Sequence, residues 1–162
     1  MPNVGGKDIS TNEAAVVGAG ILVFILSFFH WFTYDLVTTS AHRAAWHSGF
    51  FAWAGVLLLL LAAGIVAARR FSPLDLSAAP VPLDLAVLGA AALGALFLIL
   101  KLLIGYRVHS LGQTYHFSRS FGLYAALVIG LVETAFAYLT LTTSGGKLSD
   151  FRPGPRSAPP AG

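Results

Sequence analysis

Four long stretches of this chain carry almost no charge. Residues 14–34 and 44–68 contain no Asp, Glu, Lys or Arg; 85–104 is broken only by Lys101, and 121–143 only by Glu133. About 20 apolar residues in a helix cross a hydrocarbon core of about 30 Å. The pattern therefore predicts transmembrane helices over about 14–34, 50–68, 85–104 and 121–143. Short links favour antiparallel neighbours. The expected fold class is an all-α membrane protein, an antiparallel bundle of four transmembrane helices over 14–143. A cytoplasmic tail, 1–13, precedes it, and a Gly/Pro/Ser-rich tail, 144–162, should be disordered. The first apolar run exceeds the 7–15 residues of a signal-peptide core, and Met1–Glu13 lacks a basic leader, so it should remain as an anchor.

Only the 105–120 link has period-two character. Tyr106-Arg107-Val108-His109, a turn over Ser110–Gln113, and Thr114-Tyr115-His116-Phe117 read as a short hairpin. Arg107, His109, Thr114 and His116 then share one face. The 69–84 link holds two Pro-Leu-Asp-Leu copies, at 73–76 and 82–85, an echo with no functional content.

Composition sharpens the class. Of 162 residues, 56% are hydrophobic and 10% charged, against about 25% charged in soluble domains. An ordinary soluble enzyme is excluded. The net charge of +3 is scattered, with no basic stripe for phosphates, so nucleic acid is not an expected partner. The absence of cysteine removes disulfides, thiolate zinc and Cys-ligated clusters. Ala, Gly and Leu richness with three lysines hints at a GC-rich bacterial genome.

Orientation follows from Lys and Arg. Lys7, Arg69, Arg70, Lys147, Arg152 and Arg156 lie on the side of the termini, against Arg43, Arg107 and Arg119 on the other. This predicts a multi-pass protein of the cell membrane with both termini cytoplasmic. Phe28, Phe29, Trp31, Phe32 and Tyr34 at the end of helix 1, with Trp46, Phe50, Phe51 and Trp53 at the start of helix 2, read as an interfacial aromatic belt.

The run Ser27-Phe28-Phe29-His30-Trp31-Phe32, followed by Ala45-Trp46 and Gly49-Phe50-Phe51-Ala52-Trp53, resembles small four-helix integral membrane proteins of high-GC Gram-positive bacteria. The similarity covers most of helices 1 to 3. That group is uncharacterised, so the resemblance implies a membrane fold and no activity.

Glu133 is the most informative residue. A carboxylate deep in a bilayer costs roughly 2.5 kcal/mol or more, so it must face the interior, pair, or carry a proton. At 100° per residue, Gly122, Ala126, Gly130, Glu133, Ala137 and Thr140 share one face of helix 4. Small residues at this spacing mark close helix contact. On helix 3, Ala86, Ala90 and Gly94 form a similar stripe, from which Lys101 projects. Lys101 and Glu133 lean toward each other across an axial gap of about 14 Å at 1.5 Å per residue. Direct pairing needs a shifted boundary or a bridging water. Structure or partner contact is favoured over a proton or cation relay, with Thr134 and Thr140 as polar neighbours.

All five histidines fall on the side away from the termini. His109 and His116 could converge on one ion, with His42 or His47 as a third ligand, and imidazole sets suit zinc or copper. Only His30 lies near the depth a haem would need. A surface gaining charge near pH 6–6.5 is the competing reading. No catalytic constellation appears: there is no paired carboxylate, phosphate loop or Ser–His–Asp spacing.

The expected function is that of a small non-enzymatic membrane protein, an accessory or assembly subunit packing through small-residue faces. Its partners are the bilayer and a membrane protein or further copies of itself, and no cofactor is required. The alternatives are a small transporter or ion-conducting oligomer using Glu133, and a metal- or haem-binding redox protein using the histidines.

Overall fold

The computed structural model describes residues 3–4, 7–35, 38–73 and 81–146. Two short strands, β1 (Asn3–Val4) and β2 (Lys7–Asp8), pair before the first helix. The Ser10 hydroxyl accepts from the Glu13 amide at 3.2 Å, and the Glu13 carboxylate accepts from the Ser10 amide at 3.2 Å. This reciprocal cap starts α1, Thr11–Leu26.

The helix stops at Leu26, not at Tyr34. Ser27 Oγ donates to the Phe24 carbonyl at 2.5 Å, and the Trp31 indole Nε1 donates to the Leu26 carbonyl at 2.8 Å. Side chains thus take acceptors that another helical turn would use. The aromatic and β-branched run Phe32-Thr33-Tyr34, well suited to a pleated surface, leaves as strand β3, Phe32–Asp35. Trp31 and Phe32 are completely buried, so they are core residues and not members of an interfacial belt.

Strand β4 (Ser40–Arg43) pairs antiparallel with β3, matching Phe32 to Arg43 and Thr33 to His42. A single 3-10 turn, Ala45–His47, leads into α2, Phe50–Phe71. Helix α3 covers Leu83–Ile104. The hairpin expected in the third link is β5 (Tyr106–Ser110) with β6 (Gln113–Arg119), matching Arg107 to His116 and His109 to Thr114. Its turn places Leu111 and Gly112 at φ 50° and 77°, the left-handed pair of a tight hairpin. The last helix, α4, is Phe121–Thr143.

The two links on this side join. Phe32 pairs with Arg119 and Thr33 with Ser118, giving a four-stranded antiparallel sheet in the order β4-β3-β6-β5. The all-α bundle of four transmembrane helices expected from hydropathy is therefore corrected to four helices plus a sheet. Three helices, α2, α3 and α4, are long and apolar enough to cross a membrane. With 16 residues, α1 extends about 24 Å at 1.5 Å per residue, less than a hydrocarbon core. The disorder expected of the tail beyond Gly146, and the first Pro-Leu-Asp-Leu copy, lie outside the described residues.

The helices form a ring: α1 packs on α2 and α4, and α3 on the same two. At the end away from the sheet, polar contacts tie them together. Arg70 reaches Glu13 bidentately, with a shortest contact of 2.7 Å, Arg69 meets Asp84 at 2.5 Å, and Ser144 Oγ donates to Asp84 at 2.8 Å. Val16, Val23, Val56, Leu59, Leu98 and Leu123 fill the centre. Ile21, Leu22, Leu57, Leu61, Leu93, Leu96, Val128 and Leu131 face outward.

Candidate functional site

The small residues of the expected stripes divide between fully buried and half-buried positions. Gly94 meets α2 at Gly55: a Cβ on Gly94 would stand 3.0 Å from the Gly55 carbonyl oxygen and 2.9 Å from Leu59 Cγ. A Cβ on Gly122 would stand 2.7 Å from the His30 carbonyl oxygen, and one on Gly130 would stand 3.0 Å from Leu59. Ala126 is fully buried. These four residues serve contacts within the chain. Ala86 and Ala90 are half-buried.

Glu133 is fully buried, and neither carboxylate oxygen has a hydrogen-bond partner among the described residues. Its Oε1 lies 3.5 Å from the position of a Cβ on Gly20 of α1. Neither Thr134 nor Thr140 bonds to it: Thr134 donates to the Gly130 carbonyl at 2.8 Å and Thr140 to the Phe136 carbonyl at 2.9 Å. Such i−4 back-bonding satisfies the hydroxyls within their own helix.

Lys101 does not pair with Glu133. It is 6% exposed, and its Nζ donates to the Gly105 carbonyl at 2.8 Å, closing the C-terminal end of α3. The ammonium also stands 5.1 Å from the ring centroids of both Phe32 and Tyr106, within cation–π range. Sheet and helices therefore meet over this cation. Arg119 Nε adds a second bond to the α3 terminus, donating to the Leu102 carbonyl at 2.6 Å.

A cleft of about 610 Å³ opens beside Lys101, lined by Ser48, Gly49, Leu103, Ile104, Gly105, Tyr106 and Arg107. A smaller one of about 270 Å³ shares the 103–107 wall and adds His116 and Arg119. Ser48, Gly49 and Tyr106 escaped sequence reasoning. The signal available was glycine at both helix ends: Gly49 and Gly105 have φ of 100° and 72°, where a side chain is strained.

Three of the five histidines lie on strands, His42 on β4, His109 on β5 and His116 on β6. His42 stacks on His30 with centroids 4.1 Å apart and bonds Ser40 at 3.1 Å. His109 bonds Thr114 at 2.9 Å, and His116 sits opposite Arg107. His47 ends the 3-10 turn. Among the described residues, no group of three or more His, Asp or Glu side chains is placed to hold a metal ion.

An apolar groove of about 640 Å³ runs between α3 and α4, lined by Leu88, Gly89, Ala92, Leu131, Thr134, Ala135 and Tyr138. Small side chains here let another backbone approach closely.

Comparison with known proteins finds no counterpart: no family model, no curated protein and no solved structure matches the chain.

Proposed function

We propose that the chain is a multi-pass protein of the cell membrane, with both termini cytoplasmic and the sheet on the opposite surface. It works by binding, as a non-enzymatic accessory or assembly subunit of a membrane complex. The observation that carries this reading is the outer surface of the helices. Ile21, Leu22, Leu57, Leu61, Leu93, Leu96, Val128 and Leu131 expose large apolar side chains on all four helices, beyond what a soluble monomer tolerates. Between α3 and α4 that surface becomes the groove of Gly89, Ala92 and Ala135, dimensions suited to a partner's transmembrane helix. The six basic residues on the side of the termini, against three in the links of the sheet side and Lys101 beneath the sheet, support the orientation.

Native mass spectrometry of the protein extracted from its own host membrane in mild detergent tests this. A bound second polypeptide, lost on Ala135→Trp, is the expected result. A bare monomer for both forms overturns the subunit reading, and recovery in the soluble fraction overturns the membrane reading itself.

The carboxylate of Glu133, without a hydrogen-bond partner among the described residues, favours a second reading, a small transporter or ion-conducting oligomer. Intramembrane acids commonly mark ion pathways. In that case Glu133→Gln abolishes a flux in reconstituted vesicles while assembly persists; unchanged flux removes it.

A further inference from the structure

We infer that the cleft beneath the sheet binds a phosphate group, supplied by the headgroup of an anionic phospholipid. The inference rests on the membrane reading above.

Its floor is cationic. Lys101 lies within the wall with its ammonium 3.7 Å from the position of a Cβ on Gly49. No carboxylate of the described residues pairs with it, and its hydrogen bond to Gly105 uses one of three donors. A buried cation without a counter-ion attracts an anion strongly, because water does not screen it. Arg107 lines both clefts and likewise has no carboxylate partner among the described residues.

Helix α2 adds to this. It begins at Phe50 immediately after Gly49, and no side chain caps it. The positive end of the helix dipole adjoins the cleft at Gly49 and favours an anion there. A volume of about 610 Å³ falls within the range of small-ligand sites and exceeds what a bare phosphate fills.

The outer wall selects a lipid over a soluble phosphate. Leu103 and Ile104 line the cleft and are 70% and 54% exposed, and Phe50 beside Gly49 is 56% exposed. These side chains join the cleft to the apolar surface of α2 and α3. Acyl chains could follow that surface while the phosphate stays at Lys101.

The test uses full-length protein, delipidated in detergent, with thermal unfolding followed on adding phosphatidylglycerol, phosphatidylcholine or inorganic phosphate. Phosphatidylglycerol should stabilise the wild type at concentrations about tenfold below those of phosphatidylcholine, the preference expected of one charge-assisted contact. Lys101→Gln and Arg107→Gln should each remove that preference. Arg107 is exposed, so its variant keeps the test sound if Lys101→Gln fails to fold. Inorganic phosphate matching phosphatidylglycerol supports the phosphate site and overturns its lipid source. Equal responses to all three, or a preference retained in Arg107→Gln, overturn the proposal. A protein that stays soluble and folded without detergent instead refutes the membrane reading.

Discussion

Glu133 of α4 faces Gly20 of α1: its Oε1 lies 3.5 Å from the position a Cβ on Gly20 would occupy. The absent side chain makes room for the carboxylate but gives it no donor, and both oxygens stay without hydrogen bonds among the described residues. A buried polar group left unpaired costs about 1–3 kcal/mol. Residues kept against such a cost tend to be functional, so stability and function should part company at this position.

Glu133→Met tests that separation. Methionine has nearly the same length and no group needing a donor, so unfolding in detergent should shift to higher stability by about 1–3 kcal/mol. Glu133→Gln keeps an unpaired polar head and should gain little. A destabilised Met variant would mean that the carboxylate has a partner, supplied in the membrane by lipid, water or protein.

Two glycine substitutions should diverge in sign. Gly94→Ala drives a methyl group to 3.0 Å from the Gly55 carbonyl oxygen and 3.1 Å from the Leu59 amide nitrogen. Those are backbone atoms that cannot swing aside, so a loss of about 1–3 kcal/mol is expected. Gly64→Ala in α2 meets nothing within 4 Å and should gain up to about 1 kcal/mol from helix propensity. Thermal unfolding of the two variants side by side reads the difference.

Hydropathy located α2, α3 and α4, because long uncharged runs have few alternatives to a helix. It misread 27–34. There a window average cannot distinguish aromatic residues of a helix from aromatic residues of a strand. The deciding events were specific hydrogen bonds, Ser27 to Phe24 and Trp31 to Leu26. Strand β4, Ser-Ala-His-Arg, is short and polar, and it exists through long-range pairing that periodicity does not reveal. At the site, residue types were legible and their partners were not. Lys101 was recognised as interior, but the aromatic rings above it, Phe32 and Tyr106, arrive from two different links.

The Trp31 indole is accordingly structural. Trp31→Phe preserves most of the buried ring but leaves the Leu26 carbonyl without the 2.8 Å bond. That carbonyl still accepts from the Phe29 amide at 3.1 Å, so a loss of about 0.5–1.5 kcal/mol is expected. Hydrogen exchange should accelerate at the last turn of α1 and along β3, while the β5–β6 hairpin stays protected. Uniform acceleration across the sheet would mean that Trp31 supports the whole sheet and not this one junction.

Acid should loosen the opposite end first. Glu13 lies outside the three candidate spans and is 2% exposed. Burial alone would raise its pKa. Hydrogen bonds from Arg70 and Ser10, with the Arg70 charge, outweigh burial and hold it below the ordinary value. A lowered native pKa means that the unfolded chain binds the proton more readily than the folded one. The contribution of Glu13 is therefore complete above the ordinary carboxylate range and fades as pH falls through the lowered value. Glu13→Gln should be less stable than wild type at neutral pH, with the gap closing as the medium becomes acidic. It should also weaken the cap on α1, because the reciprocal bond to the Ser10 amide depends on the same carboxylate. Detergent unfolding of both proteins across pH measures this. A gap independent of pH would assign the stabilisation to the shape of the contact and not to its charge.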